Sequence, residues 1–356
     1  MKRRTALLSG AALATALTLP ARTHAHAHTA PPGTALTPPR RRGWRTLAPI
    51  GSGPRQEHGV AAVGDKVYVI GGIVPDLAGG FTTTDRVDVY DTRRGTWSQA
   101  APLPVAMNHP NAAVVDGRLH VLGGLSGGAS WQALRDCFVL DPRSGRWERL
   151  PPMPAGTERG SAAMGVCGSR IHLAGGMRVL EPTGPGGLQD TVGEVSSYDT
   201  ATGRWEALPD LPQPRDHVGG AVVGTVFHVV GGRDRGQLNV RDTVYALDLR
   251  HRRRWSERTP MPTARGGLAA AAVGRWIHTF GGEGNVVDGV HTVFPEVEAY
   301  DTVRDRWRRL DPMPVPRHGT AAVAVRGTVH IPGGGTAPGA APVDVHDAYR
   351  PGGPGW

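Results

Sequence analysis

A double glycine returns at a nearly constant interval along the chain. Each copy closes a short apolar segment, as in "VYVIGG", "LHVLGG", "IHLAGG", "FHVVGG", "IHTFGG" and "VHIPGG". The intervals between successive copies are 52, 52, 56, 50 and 52 residues, counted on the first glycines Gly71, Gly123, Gly175, Gly231, Gly281 and Gly333. Periods of this size indicate a repeat architecture, in which every unit is one small supersecondary element. We therefore expect six similar units in place of one irregular domain.

Tryptophan keeps the same interval and marks a fourth strand in each unit. The repeating residues are Trp44, Trp97, Trp147, Trp205, Trp255 and Trp307. Turns such as "DTRRGTW" and "DPRSGRW" precede four of them, since Asp bonds its own backbone and Gly supplies a positive φ. Segments such as "KVYVIGG" and "RVDVYD" are β-branched and largely alternating, which predicts strands. A unit of four short strands buries both faces only when units stack radially, as in a β-propeller.

These markers resemble the kelch-repeat family. The resemblance rests on the double glycines, the Tyr-Asp pairs of "VYDT", "SYDT" and "AYDT", and the spaced tryptophans, and it covers residues 44 to about 349. It implies an all-β propeller with four strands per blade. Kelch propellers include binding modules and enzymes, so the resemblance does not choose between these functions.

The two ends of the repeat region predict how the ring closes. The sixth unit ends in "PVDVHDAY" and has no tryptophan strand, whereas the N-terminal "GWRTLAPI" matches "TWSQAAPLP" of the first unit. A strand around Trp44 should therefore complete the last blade, which removes the free edges of an open sheet. The sequence predicts a six-bladed propeller over residues 44–349 and a tail over residues 350–356.

A histidine stands three places before five of the six double glycines. These residues are His120, His172, His228, His278 and His330, and Tyr68 takes the place in the first unit. Ligands must lie about 2 Å from a metal ion, and ring symmetry spreads this position around the axis. We therefore predict packed histidines that stand in for tyrosine, with no metal and no cofactor.

Residues 1–27 have the pattern of an export signal: the basic "MKRR", the apolar "TALLSGAALATALTLP" and the small-x-small "AHA". The paired arginines before "TALL" favour the twin-arginine route, with an ordinary secretory signal as the alternative, and cleavage is expected after Ala25 or Ala27. The apolar run is short for a membrane span, and residues 28–43 predict a flexible linker. We expect a secreted, extracytoplasmic monomer that is not embedded in a membrane.

The basic composition does not predict a nucleic-acid partner. The formal charge is +9, yet 38 of the 40 basic residues are arginine, a skew typical of a GC-rich genome. Removal of residues 1–27 would lower the charge to +5, since that segment has four basic residues and no acidic one. No stripe of basic residues with interleaved aromatics occurs in the sequence.

An arginine stands sixteen places before five of the six double glycines. These residues are Arg55, Arg159, Arg215, Arg265 and Arg317, with Met107 in the second unit. Guanidinium groups suit carboxylates, sulfates and phosphates, so a ring of them at the mouth of a central funnel predicts an anionic ligand. The alternative is that the arginines brace neighbouring loops.

Five other residues are ligand-binding candidates on the same presumed face. In the second unit, Asn108 and His109 follow Met107, and Trp131 lies on the next loop; Arg233 and Glu283 directly follow double glycines. The expected ligand is an acidic glycan or a protein, since a flat indole suits both.

Two functions stay open. The first is a binding or interaction module. The second is an enzyme on an acidic sugar, which would resemble the exported sialic-acid mutarotases in repeat framework only, with Glu283 as acid–base and Arg233 or Arg265 holding the carboxylate.

Copper-radical chemistry of the galactose-oxidase kind is not expected. Four of the six tyrosines occupy repeat positions, which leaves no free pair of tyrosine and cysteine for a central site. We expect Cys137 and Cys167 to be free, buried thiols because they fall on different strands of different units.

Overall fold

The computed structural model describes residues 43–183 and 186–352, and within them all regular elements are β-strands. Blade 1 contains β2 (Gly59–Val63), β3 (Lys66–Ile70), β6 (Val87–Asp91) and β7 (Thr96–Gln99), with the added hairpin β4 (Ile73–Pro75) and β5 (Phe81–Thr83). Blade 2 contains β8 (Ala112–Val115), β9 (Arg118–Gly127), β10 (Trp131–Asp141) and β11 (Arg146–Leu150). Blade 3 contains β12 (Ala163–Cys167), β13 (Arg170–Glu181), β14 (Leu188–Asp199) and β15 (Arg204–Leu208).

The second half of the chain repeats the arrangement. Blade 4 contains β16 (Gly219–Val223), β17 (Val226–Val230), β18 (Val244–Asp248) and β19 (Ser256–Arg258). Blade 5 contains β20 (Ala269–Val273), β21 (Trp276–Phe280), β24 (Val297–Asp301) and β25 (Arg306–Arg309), with the added hairpin β22 (Glu283–Val287) and β23 (Val290–Val293). Blade 6 contains β26 (Val323–Val325), β27 (Thr328–Pro332), β28 (His346–Tyr349) and the N-terminal β1 (Trp44–Thr46).

The N-terminal strand lies in the last blade, where the sequence places it. β1 pairs antiparallel with β28, with Trp44 opposite Tyr349. The indole ring of Trp44 packs 5.0 Å from Tyr349 and 5.9 Å from Phe280. The outer strand of blade 6 therefore comes from the other end of the described chain, and its pairing joins the two ends.

The repeated tryptophans connect neighbouring blades. Each indole N–H donates to a backbone carbonyl in the preceding blade, as Trp97 does to Ala48 at 2.9 Å and Trp307 to Thr259 at 2.9 Å. Trp44 donates to Asp311 at 3.1 Å, so the N-terminal tryptophan makes the same contact as the others. This shared bond explains why the tryptophans keep the interval of the double glycines.

The double glycines are required where one blade touches the next. Gly281 has φ 57°, and a Cβ added there would lie 2.0 Å from the carbonyl oxygen of Arg317. The N–H of the following Gly282 donates to that same carbonyl at 2.9 Å. Because a side chain would collide with the neighbouring backbone, only glycine fits this position.

A ring of residues with left-handed backbone surrounds the axis, fourteen places before the double glycines. We call it the axial ring; its members have φ between 48° and 64° and are Glu57, His109, Ser161, His217, Gly267 and Gly319. Five members donate their N–H to the carbonyl of the preceding member at 2.7–3.1 Å, and His217 donates to the hydroxyl of Ser161 at 3.0 Å. This closed circle of six hydrogen bonds joins the blades in chain order.

The repeated histidines pack between blades. His172 lies 6.1 Å from the ring of Phe227, His228 lies 6.0 Å from Tyr300, and each aromatic partner belongs to the following blade. Burial lowers the pKa of His172 and of His228 to about 4, so both are neutral at pH 7. One histidine per blade therefore fills an interface, and the ring does not bring these histidines together.

Neither cysteine forms a disulfide, as predicted, but only one is buried. Cys137 is buried and burial raises the pKa of its thiol to about 12, whereas Cys167 is half-buried. Among residues 43–183 and 186–352, no helix is long and apolar enough to cross a membrane.

Candidate functional site

The five repeated arginines lie inside the blades and not at a funnel surface. All five side chains have no exposed surface, so they do not reach a ligand in the described structure. Arg265 donates to Glu298 at 2.6 Å, Arg317 to Asp347 at 2.8 Å and Arg55 to Asp88 at 2.7 Å. The two without a carboxylate partner, Arg159 and Arg215, donate to backbone carbonyls and hydroxyl groups of their own blades. The predicted arginine-lined funnel is corrected: each guanidinium bonds the second and third strands of its own blade.

Three polar side chains of the axial ring meet instead at the axis. Nε2 of His109 lies 3.0 Å from Nε2 of His217 and 3.0 Å from Oε2 of Glu57. The third side of this triangle, from Glu57 Oε2 to His217 Nε2, is 4.0 Å. Since these residues come from blades 2, 4 and 1, only ring closure brings them together.

Each of the two histidines is held by an oxygen acceptor behind it. Nδ1 of His109 lies 2.7 Å from Oδ1 of Asn108, and Nδ1 of His217 lies 2.6 Å from Oδ1 of Asp216. Thr191 in turn donates its hydroxyl to Asp216. Such partners fix the tautomer, with the proton on Nδ1 and Nε2 facing the centre of the ring.

A buried ion-pair network lies next to the axial cluster. Arg233 donates to Asp216 at 3.2 Å, to Glu283, and to Nε2 of His217 at 2.9 Å. Oε2 of Glu283 lies 3.5 Å from Nδ1 of His318 and accepts the N–H of Gly339 at 3.1 Å. Arg233 and Glu283 are thus neighbours, as the hypothesis of an acid–base Glu283 required. Both are only 2% exposed, however, and their charges neutralise each other.

The pKa shifts of the network favour ionised carboxylates and a neutral His217. Burial raises the pKa of Glu57, but the charges of His109, His217 and His318 more than offset this and hold it well below its usual value. Burial also raises the pKa of Glu283, and His318 and Arg233 outweigh that effect. For His217, burial and Arg233 lower the pKa, while the contact with Asp216 opposes them. Carboxylates that stay ionised inside a protein suit cationic ligands better than anionic ones.

A channel of about 470 Å³ runs along the innermost strands, and Glu57, His109 and His217 belong to its lining. Its wall consists of small apolar residues at equivalent repeat positions, for example Ala112, Gly220, Ala270 and Ala322. The axial cluster therefore adds two imidazoles and a carboxylate to a lining that also includes the polar residues Asn111, Ser161 and Thr320.

Trp131 is not a freely exposed platform. Its ring lies 5.3 Å from His109 and packs against Leu125, Met177 and Leu180, so the side chain is half-buried. It begins β10 and pairs with Leu180 of blade 3, which joins blades 2 and 3 into one sheet. The indole thus covers the outer side of His109.

About half of the residues of this site were predicted from the sequence. Asn108, His109, Trp131, Arg233 and Glu283 all lie in or beside the axial cluster. Glu57, His217, Asp216 and His318 were missed, although counting fourteen or fifteen places back from each double glycine, in place of sixteen, reaches all four.

A second candidate surface lies on the face formed by the segments between second and third strands. We call this face the crown. Large exposed hydrophobic side chains concentrate there among the described residues: Leu77, Phe81, Leu188, Leu238, Val286, Val287 and Val290. Leu77 is fully exposed and Leu188 is 74% exposed, and the only comparable side chain on the opposite turns of the described chain is Val303.

Comparisons with known proteins agree with the fold. A sequence model of the Kelch motif matches residues 54–104 and 107–154. "Kelch-like protein terF" of Aspergillus terreus (strain NIH 2624 / FGSC A1156) is 42% identical over 300 residues, which cover 84% of this chain and 65% of that protein. "Kelch-like protein 34" of Homo sapiens is 33% identical over 245 residues, or 66% of this chain and 34% of that protein. The chain therefore spans less than two thirds of the length of these relatives.

A solved structure supports the same architecture. The protein of "Structure of YjhT" superposes with a TM-score of 0.68 at 17% identity and covers 84% of this chain and 95% of its own. At this identity the similarity concerns the fold alone. The predicted all-β propeller, and the resemblance in the repeat residues, are confirmed.

Proposed function

We propose that this chain, which belongs to the kelch-repeat propeller family, is a binding module that holds a protein partner on its crown. The observation that carries the proposal is the distribution of exposed hydrophobic side chains. Seven of the eight large ones in the described residues lie on the crown and one lies on the opposite face. Exposed apolar residues that are concentrated on one face are typical of an interaction surface.

Charged residues of both signs are exposed on the same face. Asp190 is 51% exposed on blade 3, and Arg235 is 61% exposed on blade 4. Exposed apolar and charged side chains together are the usual composition of a protein–protein interface. The partner should therefore present an apolar patch with charged edges of both signs.

The alternatives from the sequence lose their main support. An acidic glycan was expected because of the five arginines, and their guanidinium groups are buried against partners of their own blades. An acid–base role for Glu283 with Arg233 holding a carboxylate would need both groups to face a substrate, yet they bond each other. Arg265 is likewise paired with Glu298 inside blade 5.

Export belongs to the proposal and rests on the sequence alone. Residues 1–27, which carry the signal pattern, and most of the linker over residues 28–43 lie outside the described residues. If the signal acts as expected, the crown meets its partner outside the cytoplasm.

The test compares crown variants with a variant of the opposite face. Proteins retained by the immobilised chain are identified, and the dissociation constant of the most enriched one is measured with the purified partner. Leu77→Asp and Val290→Asp should each weaken it at least about tenfold, since a carboxylate placed in an apolar contact loses its hydration on binding without gaining a partner. Val303→Asp, which adds the same charge to the other face, should leave it unchanged.

Two outcomes would overturn the proposal. One is equal affinity in the crown variants and in Val303→Asp. The other is self-association: if sedimentation shows a wild-type oligomer that Leu77→Asp dissolves, the crown joins copies of this chain and not a different protein.

A further inference from the structure

We propose that Glu57, His109 and His217 form a binding site for a divalent first-row transition-metal ion at the end of the axial channel. The inference does not depend on the crown or on the proposed protein partner. It rests on four observations: the spacing of three ligand atoms, the tautomers of the histidines, the charges around them and the channel beside them.

The spacing fits one ion. The three ligand atoms, His109 Nε2, His217 Nε2 and Glu57 Oε2, are separated by 3.0, 3.0 and 4.0 Å. A triangle with these sides has a circumscribed circle of radius about 2.0 Å, so a single point lies at that distance from all three atoms, which matches metal–nitrogen and metal–oxygen bonds. No movement of the backbone is needed to bring the ligands into range.

The tautomers leave two lone pairs facing each other. Because Asn108 and Asp216 offer oxygen acceptors at 2.7 and 2.6 Å, both Nδ1 atoms carry a proton. If both rings are neutral, Arg233 donates to Nε2 of His217 at 2.9 Å, while the lone pair of His109 Nε2 lies 3.0 Å from His217 Nε2 and 3.0 Å from the Glu57 carboxylate, which is repulsive without a proton or a cation between these atoms. A proton on His109, bonded to Glu57, is one solution; a metal ion shared by all three groups is the other.

The surrounding charges favour a cation. The carboxylates of Glu57, Asp216 and Glu283 lie within one connected network, and its guanidinium is that of Arg233. Arg233 lies 2.9 Å from Nε2 of His217, so a metal would take that lone pair from it. Arg233 would keep its bonds to Asp216 and Glu283, so the exchange would leave neither of these buried carboxylates without its partner.

The channel leaves room for further ligands of the ion. Glu57, His109 and His217 all line it, and the adjacent wall is built of small apolar residues such as Ala112 and Ala270. Two histidines and one carboxylate hold Zn²⁺ or Fe²⁺ with open positions in proteins. A water or a small ligand in the channel would complete the coordination sphere.

The experiment uses the full chain, treated with chelator and titrated with Zn²⁺ by calorimetry. We expect one ion per chain at this site. His109→Gln and His217→Gln should each lower Zn²⁺ affinity by more than the about 10–100-fold that loss of an outer partner costs. The matched control is His251→Gln, an exposed histidine on a turn of the opposite face, which should bind as the wild type does.

Metal binding outside the site and loss of folding in a variant need separate controls. His24, His26 and His28 can also attract metal, but they are identical in every variant, so only the difference between variants counts. If a histidine variant does not fold, two other measurements test the site: the Zn²⁺ affinity of the isosteric variant Glu57→Gln and the visible spectrum of Co²⁺ bound to the wild type. The proposal is overturned if Zn²⁺ affinity is equal in wild type, Glu57→Gln and the histidine variants, or if the wild type gives no coordinated Co²⁺ spectrum.

Discussion

His109 and His217 lie with their Nε2 atoms 3.0 Å apart although 108 residues separate them in the chain. The contact spans blades 2 and 4 across the axis, and it forms because both residues hold the same left-handed position, with φ of 50° and 48°. Glycine occupies this position in blades 5 and 6, as Gly267 and Gly319. Keeping a side chain there costs backbone strain, which is typical of functional positions.

The first prediction separates backbone strain from collision at the double glycines. Gly281 and Gly274 have nearly equal φ values of 57° and 59°, but a Cβ meets the Arg317 carbonyl at 2.0 Å in the first case and nothing within 4 Å in the second. Gly274→Ala should cost about 1–2 kcal/mol of unfolding free energy, the strain of a left-handed residue. Gly281→Ala should cost clearly more in urea unfolding. Equal losses would mean that strain alone selects these glycines.

The second prediction concerns the buried arginines. Arg265→Met leaves Glu298 buried without its guanidinium partner and should cost about 3–5 kcal/mol. The double variant Arg265→Met/Glu298→Leu should recover part of that loss, because neither member is then left as an unpaired charge. Arg250→Met, on a side chain that is 65% exposed on a turn of the opposite face, is the control.

Melting temperature and partner affinity are measured on the same variants. Lower stability with unchanged affinity is the expected result for Arg265→Met. Weaker partner binding at unchanged stability would instead restore the anion-binding interpretation of the arginines.

The sequence predicts the architecture well because its markers act locally. The repeated tryptophans make the same contact in all six blades and the second glycines in five of them, so their interval alone reveals the repeat and how its ends meet. The sequence analysis wrongly expected the arginine side chains at the funnel mouth. The distance in residues from the double glycine gives a position along the strand but not the direction of the side chain. Arg265 and His217 belong to positions two residues apart in the repeat, yet one points into its blade and the other to the axis.

The candidate site was only half predicted for a related reason. His109 attracted notice because blade 2 departs from the arginine pattern. Glu57 and Asp216 look ordinary in the sequence, and their importance arises from three blades meeting at one point. Only the closed ring provides that information.

The third prediction concerns acid sensitivity. Burial, followed by the charges of Arg252 and Arg170, lowers the pKa of His172 to about 4, while Glu206 opposes this shift. The unfolded chain, with a histidine pKa near 6.5, therefore takes up the proton first as the pH falls. This histidine stabilises the fold fully above pH 6.5, and its contribution is lost between about pH 6.5 and 4.

Tyrosine at the same position tests this effect, since Tyr68 occupies it in blade 1. At pH 5 the loss should be about 2 kcal/mol for one such histidine, and His172→Tyr should remove that part of the pH dependence. Unfolding by urea at pH 7 and pH 5 measures it. His251→Tyr, at an exposed turn, should leave the difference between the two pH values unaltered; an equal pH dependence in His172→Tyr and wild type would contradict the assignment.

The last prediction concerns Asp216 as a positioning residue for the proposed metal site. Its Oδ1 accepts the Nδ1 proton of His217 at 2.6 Å, which leaves Nε2 free to bind an ion. In Asp216→Asn the amide can donate to Nδ1, which would move the ring proton to Nε2, where the metal would have to bind. Zn²⁺ affinity should fall by about 10–100-fold. Asn108→Asp makes the reverse exchange behind His109, from amide to carboxylate, and should keep or raise the affinity. A purely structural role for Asp216 would lower the melting temperature and leave the Zn²⁺ affinity of the folded protein intact, whereas positioning predicts a loss of affinity in Asp216→Asn and no loss in Asn108→Asp.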